Sequence, residues 1–301
     1  MIGGAARPTI GEILRTTGRR LRDAAASFWA DEPFRLAAAL SFYSLLSMAP
    51  LLLVVVATTG YFLGEGTVRA ELIAQIRSLV GSEGATVAET VLYNRPEGSS
   101  NAASMLLGLA LTLFGATTVF AQLQSALNSI WRVQAKPTNA VLSFLKSRLL
   151  SFALVLSIGF LLMVSLVVSA LLAALRTYVA GRFEQTAAIM ETANLLVSFG
   201  LATLLIAMIF KYLPDRQIRW RDTWFGGALT AALLAAGKSV IGLYLGQASI
   251  GSVFGAAGSA VVFMLWVYYA ALIFFFGAEL TKVMARDSGD RPPPDEHAAP
   301  A

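Results

Sequence analysis

Residues 257–284 read AGSAVVFMLWVYYAALIFFFGAELTKVM, a run with only two charged residues, Glu279 and Lys282. A helix needs about 20 mostly apolar residues to cross the hydrocarbon core of a bilayer, so this run predicts a membrane span. Working backward along the chain, five more stretches qualify: Gly226–Leu245, Ile189–Leu213, Phe152–Leu175, Ser104–Gln124 and Leu36–Leu63. The first and last are longer than required and are expected to tilt or to emerge from the bilayer. The expected fold is all-α, a polytopic membrane protein built as a six-transmembrane-helix bundle. It divides into a basic amphipathic segment 1–35, a membrane domain 36–284 with a periplasmic loop 64–103, and a disordered tail 285–301.

Composition agrees. Of 301 residues, 56% are hydrophobic and 14% charged, against about 25% charged in an average soluble domain. This excludes a disordered chain and an ordinary water-soluble enzyme. Cysteine is absent, which excludes a disulfide framework and a thiolate metal site. The single histidine, His297, lies in a polar tail, and zinc sites usually need two or more His or Cys ligands. No P-loop, G-x-S-x-G elbow or H-E-x-x-H occurs. The chain is therefore read as a non-enzyme with no cofactor and no metal. Without an ATPase motif, energy would come from a gradient, a partner or the solute's own gradient. No paired carboxylates occur inside the spans, which disfavours a proton pump built on buried acids.

Net charge is +5, and its distribution explains it. The N-terminal segment, the second and fourth connections and the C-terminal end carry seventeen Lys and Arg; the opposite side carries five. Cytoplasmic loops collect Lys and Arg, so both termini are expected in the cytoplasm. Within the first segment Ile10, Leu14, Leu21 and Phe28 recur at intervals of four and seven, with Arg15, Arg19, Arg20 and Arg22 between them. This predicts a basic amphipathic helix on the anionic cytoplasmic leaflet; the alternative is a flexible basic lead. Nucleic acid is not an expected partner, because no recognition module surrounds the arginines. In the loop Gly64–Ala103, Leu72, Ile76 and Leu79, then Val87 and Val91, predict two short amphipathic helices. They read as a solvated cap or as a lid over substrate.

Lys238 is the sharpest single signal. It lies 12 residues into the fifth span, about 18 Å from its cytoplasmic end at 1.5 Å per residue. A lysine near the midplane costs about 2.5 kcal/mol or more and should face the bundle interior or a wet cavity. At similar depth stand Ser47, Thr112, Ser165, Thr203 and Tyr268. Ser41, Ser44 and Ser47 form a polar stripe, and Pro50 frees the Leu46 carbonyl and predicts a kink. Lys238, Ser47, Thr112 and Tyr268 are the candidate cavity residues; each could equally be an ordinary packing residue. Trp131 and Arg132 suit the lipid interface. Glu279 reads as a carboxylate at headgroup level beside Lys282. Gly251–Gly255 predicts a tight hairpin.

Several stretches together resemble the YihY/virulence factor BrkB family. They are Ala38-Ala39-Leu40-Ser41-Phe42-Tyr43 with Pro50-Leu51, then Asn128-Ser129-Ile130-Trp131-Arg132. Lys238 through Tyr244, Gly255, Leu265-Trp266-Val267-Tyr268 and Gly277-Ala278-Glu279-Leu280 follow. The resemblance covers roughly Phe34 to Met284, and the order and spacing carry it. It implies a six-helix bacterial inner-membrane protein without an established activity. A ribonuclease label attached to the family does not fit, since residues for nucleic-acid hydrolysis are missing. The family's link to serum resistance and envelope integrity points to export or lipid handling. The expected function is therefore movement of an amphiphilic or anionic solute, such as a lipid or envelope precursor. A non-transporting envelope scaffold is the alternative.

Overall fold

The computed structural model describes residues 10–63, 118–135, 186–247, 258–287 and 298–300, with scattered positions between 69 and 89. Helix α1 spans Ile10–Ala30 and α2 spans Pro33–Leu63. Residues 118–131 are helical and are called α3. Then come α4 (Thr186–Tyr212), α5 (Trp220–Gln247) and α6 (Gly258–Asp287). Strands β1 (Val133–Ala135) and β2 (Ala298–Pro300) pair antiparallel, with Gln134 opposite Ala299. Helices α2, α4, α5 and α6 coincide with four of the sequence-derived spans. The expected span Phe152–Leu175, most of Ser104–Gln124 and the hairpin Gly251–Gly255 lie outside the described residues.

Helix α6 is the centre of the packing. It meets α1, α2 and α5, and α5 in turn packs against α4. Among the described residues the core sits towards one end of this array. It joins Leu36, Ala37 and Leu40 of α2, Leu127 and Ile130 of α3, Phe210 of α4, Ala231 of α5 and Phe275 of α6. Elsewhere the helices turn large apolar side chains outward: Leu195 is 68% exposed and Val240 61%, with Phe42, Leu46, Phe199 and Phe225 also exposed. Such a surface is costly in water and suits lipid, where the helical backbone satisfies its own polar groups. Leu195–Tyr212 and Ala260–Asp287 are long and apolar enough to cross a membrane.

Backbone approach between helices is set by small residues. Gly226-x-x-x-Thr230 on α5 faces Gly277-x-x-x-Thr281 on α6 reciprocally. A Cβ on Gly226 would lie 1.8 Å from Thr281 Oγ1, and one on Gly277 1.8 Å from Thr230 Oγ1. Each threonine hydroxyl is folded back onto its own helix, Thr230 to the Gly226 carbonyl at 2.7 Å and Thr281 to the Gly277 carbonyl at 2.8 Å. The hydroxyls are satisfied while their bulk fills the facing glycine's gap. On its other face α5 meets α4 as closely, a Cβ on Gly227 coming within 2.9 Å of the Thr203 carbonyl.

The N-terminal segment is a helix, not a flexible lead. Ala24 and Phe28 pack it against Leu280, Val283 and Phe276 of α6, while Arg15, Arg19, Arg22 and Trp29 stay exposed. Of the tail 285–301, residues 285–287 and 298–300 are described, and the rest lies outside the described residues. Helix α6 runs on to Asp287, and residues 298–300 pair with β1, because extended backbone satisfies its N–H and C=O groups against a neighbouring strand even in a proline-rich segment. In the loop 64–103 the described positions are helical, Ile73, Ala85 and Ala88 are buried, and Arg77 pairs with Glu89 at 3.1 Å.

Candidate functional site

The turn between α1 and α2 places the first charged group. Helix α1 stops at Ala30, Glu32 takes a left-handed backbone (φ 49°), and Pro33 opens α2. Proline suits a first helical position because its missing N–H would have no partner there. This two-residue turn holds Asp31 against α6. There Lys282 Nζ donates to Asp31 Oδ2 at 3.1 Å and to Glu279 Oε2 at 3.0 Å. Arg132, just past α3, reaches Asp31 at 3.8 Å. It too has a left-handed backbone, φ 50°. Left-handed non-glycine residues cost about 1–3 kcal/mol and cluster where the surrounding structure enforces them. Among the described residues Glu32 and Arg132 are the two such cases, and both flank Asp31.

Burial pushes the Asp31 carboxyl up, but its hydrogen bond with Glu279, the Lys282 ammonium and Arg132 together hold it below the usual carboxylate range. Further ion pairs tie α1 to the same end of α6: Arg20 to Asp287 at 3.0 Å and Arg286 to Asp23 at 3.3 Å. A second network joins α3 to the turn after α4. Asn128 Nδ2 donates to Asp215 Oδ2 at 2.7 Å, Gln124 Nε2 to Oδ1 at 3.2 Å, and Arg216 Nη1 to the Trp131 carbonyl at 2.6 Å.

These positions correct parts of the sequence reading. Trp131 is 3% exposed and packs in the core with Arg216 over its ring, so its indole does not stand at the lipid interface. Exposed aromatics at this end are Trp29, Trp220, Trp224 and Tyr212. Arg132 is exposed and lies 3.8 Å from Asp31. Glu279 does neighbour Lys282, and its side chain is buried. An acid from outside the spans, Asp31, is brought beside Glu279 through Lys282 by the docking of the α1–α2 turn.

The proposed cavity residues are placed differently from one another. Ser47 is buried on α2 and donates to the Ser44 carbonyl at 3.1 Å; Ser41 does the same to Ala38 at 2.9 Å. Tyr268 packs half-buried against the core from α6. Thr112 and Ser165 lie outside the described residues. Thr203 is buried between α4 and α5, its hydroxyl without a partner. Helix α2 continues through Pro50 to Leu63. Lys238 is exposed. It follows Gly227 by eleven residues and Ala231 by seven, which puts it within about 20° of both on the helix. It therefore continues the α5 face that closes on α4 at Gly227. Some 16 Å further along, at about the level of Leu195, the Lys238 side chain on that face is exposed.

Apolar helices with outward apolar faces, closed at one end by a buried charge cluster, define a helical membrane protein. A protein-family model described as Virulence factor BrkB matches residues 24–301, and the chain belongs to that family. It is 30% identical over 274 residues to the UPF0761 membrane protein of Rhodospirillum centenum, covering 88% of this chain and 57% of that one. UPF0761 membrane proteins of Verminephrobacter eiseniae and Delftia acidovorans are 26% and 28% identical, each covering 89% of this chain and 61% of theirs. The chain thus spans about three fifths of the length of these relatives. No solved structure matches.

Proposed function

We propose that this protein is a six-span inner-membrane carrier that moves an amphiphilic anion, with both termini in the cytoplasm. The observation that carries the reading is Lys238: a cation deep in an apolar helix, accessible on the face that α4 closes nearer the cytoplasm. An anionic headgroup pairs with the ammonium there, and acyl tails lie along the exposed Leu195, Phe199 and Val240. That combination selects amphiphiles over compact ions, because one end of the ligand needs charge and the other lipid-like surroundings. Supporting the topology, the α1–α2 turn, the end of α3, the α4–α5 turn and the end of α6 all meet at one end. Segments separated by pairs of spans must do this. No catalytic role is assigned.

The exposed basic face of α1, with Leu21 and Trp29, favours a second reading in which the protein gathers anionic lipids at the cytoplasmic face without moving them. Proteoliposomes containing a fluorescent phosphatidylglycerol separate the two. A carrier speeds exchange of the probe between leaflets, and does so less for a zwitterionic analogue. A scaffold retains the probe at the protein and leaves exchange at the rate of protein-free vesicles.

A further inference from the structure

The buried part of the Asp31 cluster does not balance. Glu279 is 1% exposed and Asp31 13%, and both carboxyls rest on the single ammonium of Lys282. Arg132 is the second cation, but its side chain is 67% exposed at 3.8 Å, where water screens it. The other charges on the packed elements are committed elsewhere: Asp23 to Arg286, Asp287 to Arg20 and Arg19, and Glu32 to Arg35. A buried and a largely buried acid thus share one partly buried cation, and an uncompensated buried charge is strongly destabilising. One proton removes the excess.

We propose that Asp31 and Glu279, bridged by Lys282, form a single-proton binding site whose occupancy keeps the cytoplasmic end of the bundle closed. With the proton present, the α1–α2 turn is bonded to α6. Without it, two anions compete for one ammonium, and the strained backbone at Glu32 and Arg132 can relax by releasing the turn. The site stands on its own geometry. Its use as the coupling ion of transport rests on the carrier reading.

The chain has no cysteine, so a single thiol at Ala37→Cys, buried on α2, reports separation of α2 from α6. Its maleimide labelling is measured in proteoliposomes from mildly acidic to mildly alkaline pH, beside the same variant carrying Glu279→Gln. Glutamine keeps a hydrogen-bond donor and cannot titrate. The ratio of the two rates at each pH cancels the thiol's own ionisation. The ratio is expected to rise with pH, with a slope approaching about tenfold per unit, as for one proton. Infrared pH-difference spectra of the cysteine-free protein should show a carboxylic-acid band that Glu279→Gln removes. A flat ratio overturns the gate, and a spectrum without that band overturns the site. Neither measurement depends on transport, so failure here is distinct from failure of the carrier reading.

Discussion

Asp31 illustrates how much one side chain can carry when backbone and packing converge on it. Its carboxyl is held below the ordinary value, so the tie to Lys282 contributes stability above the unfolded-state value of about 3.9 and loses it as pH falls through the lower folded-state value. Unfolding of the wild type in detergent should therefore become easier on acidification below about pH 4. Asp31→Asn should be less stable than wild type at neutral pH and show a shallower loss on acidification; an unchanged acid profile would remove Asp31 from the account. Lys282→Ala should cost more, about 3–5 kcal/mol, because it strands a buried acid. The sequence offered Lys238 through simple depth counting, and it offered the neighbourhood of Glu279 and Lys282 through their spacing of three. It could not offer Asp31, since pairing across the length of the chain depends on how a turn docks and leaves no local pattern. Trp131 misled because a tryptophan beside an arginine at a span's end suits both a lipid interface and a core.

Between elements, the paired Gly-x-x-x-Thr contact of α5 and α6 sets how closely those two helices approach. Gly226→Ala would force a methyl into the Thr281 hydroxyl and should destabilise by about 1–3 kcal/mol, read as a lowered melting temperature in detergent. Adding Thr281→Ala should restore much of the loss, since the two changes share one gap and so are not additive. Equal melting temperatures for Gly226→Ala and wild type would mean the helices are not held at this spacing. Neither motif stands out in the sequence, because small residues recur throughout apolar helices and only packing selects which pair meets. Helix existence in the described spans was readable for the opposite reason: long apolar runs leave little alternative. The β1–β2 pair was unreadable, because three-residue strands carry no periodicity.

At the scale of the molecule, the segments assigned to the cytoplasm by their basic residues are the ones that gather at one end of the bundle. Topology should follow. A cysteine at Glu83 should react with an impermeant thiol reagent in cells with a permeabilised outer membrane, and one at Ala299 should react only after the inner membrane is opened. The reverse pattern would invert the protein and move the Asp31 cluster to the periplasmic side. The same end holds the described core, while Lys238 is exposed on α5 beyond it. The central claim is that Lys238 receives the anionic head of the solute. The measurement that tests it most directly is leaflet exchange of fluorescent phosphatidylglycerol in proteoliposomes, comparing wild type, Lys238→Met and Lys238→Arg at matched melting temperature. Wild type should exchange the probe, Lys238→Met should be slower by about tenfold or more, equivalent to about 1.4 kcal/mol, and Lys238→Arg should fall between. A folded Lys238→Met protein that exchanges the probe at the wild-type rate would contradict it.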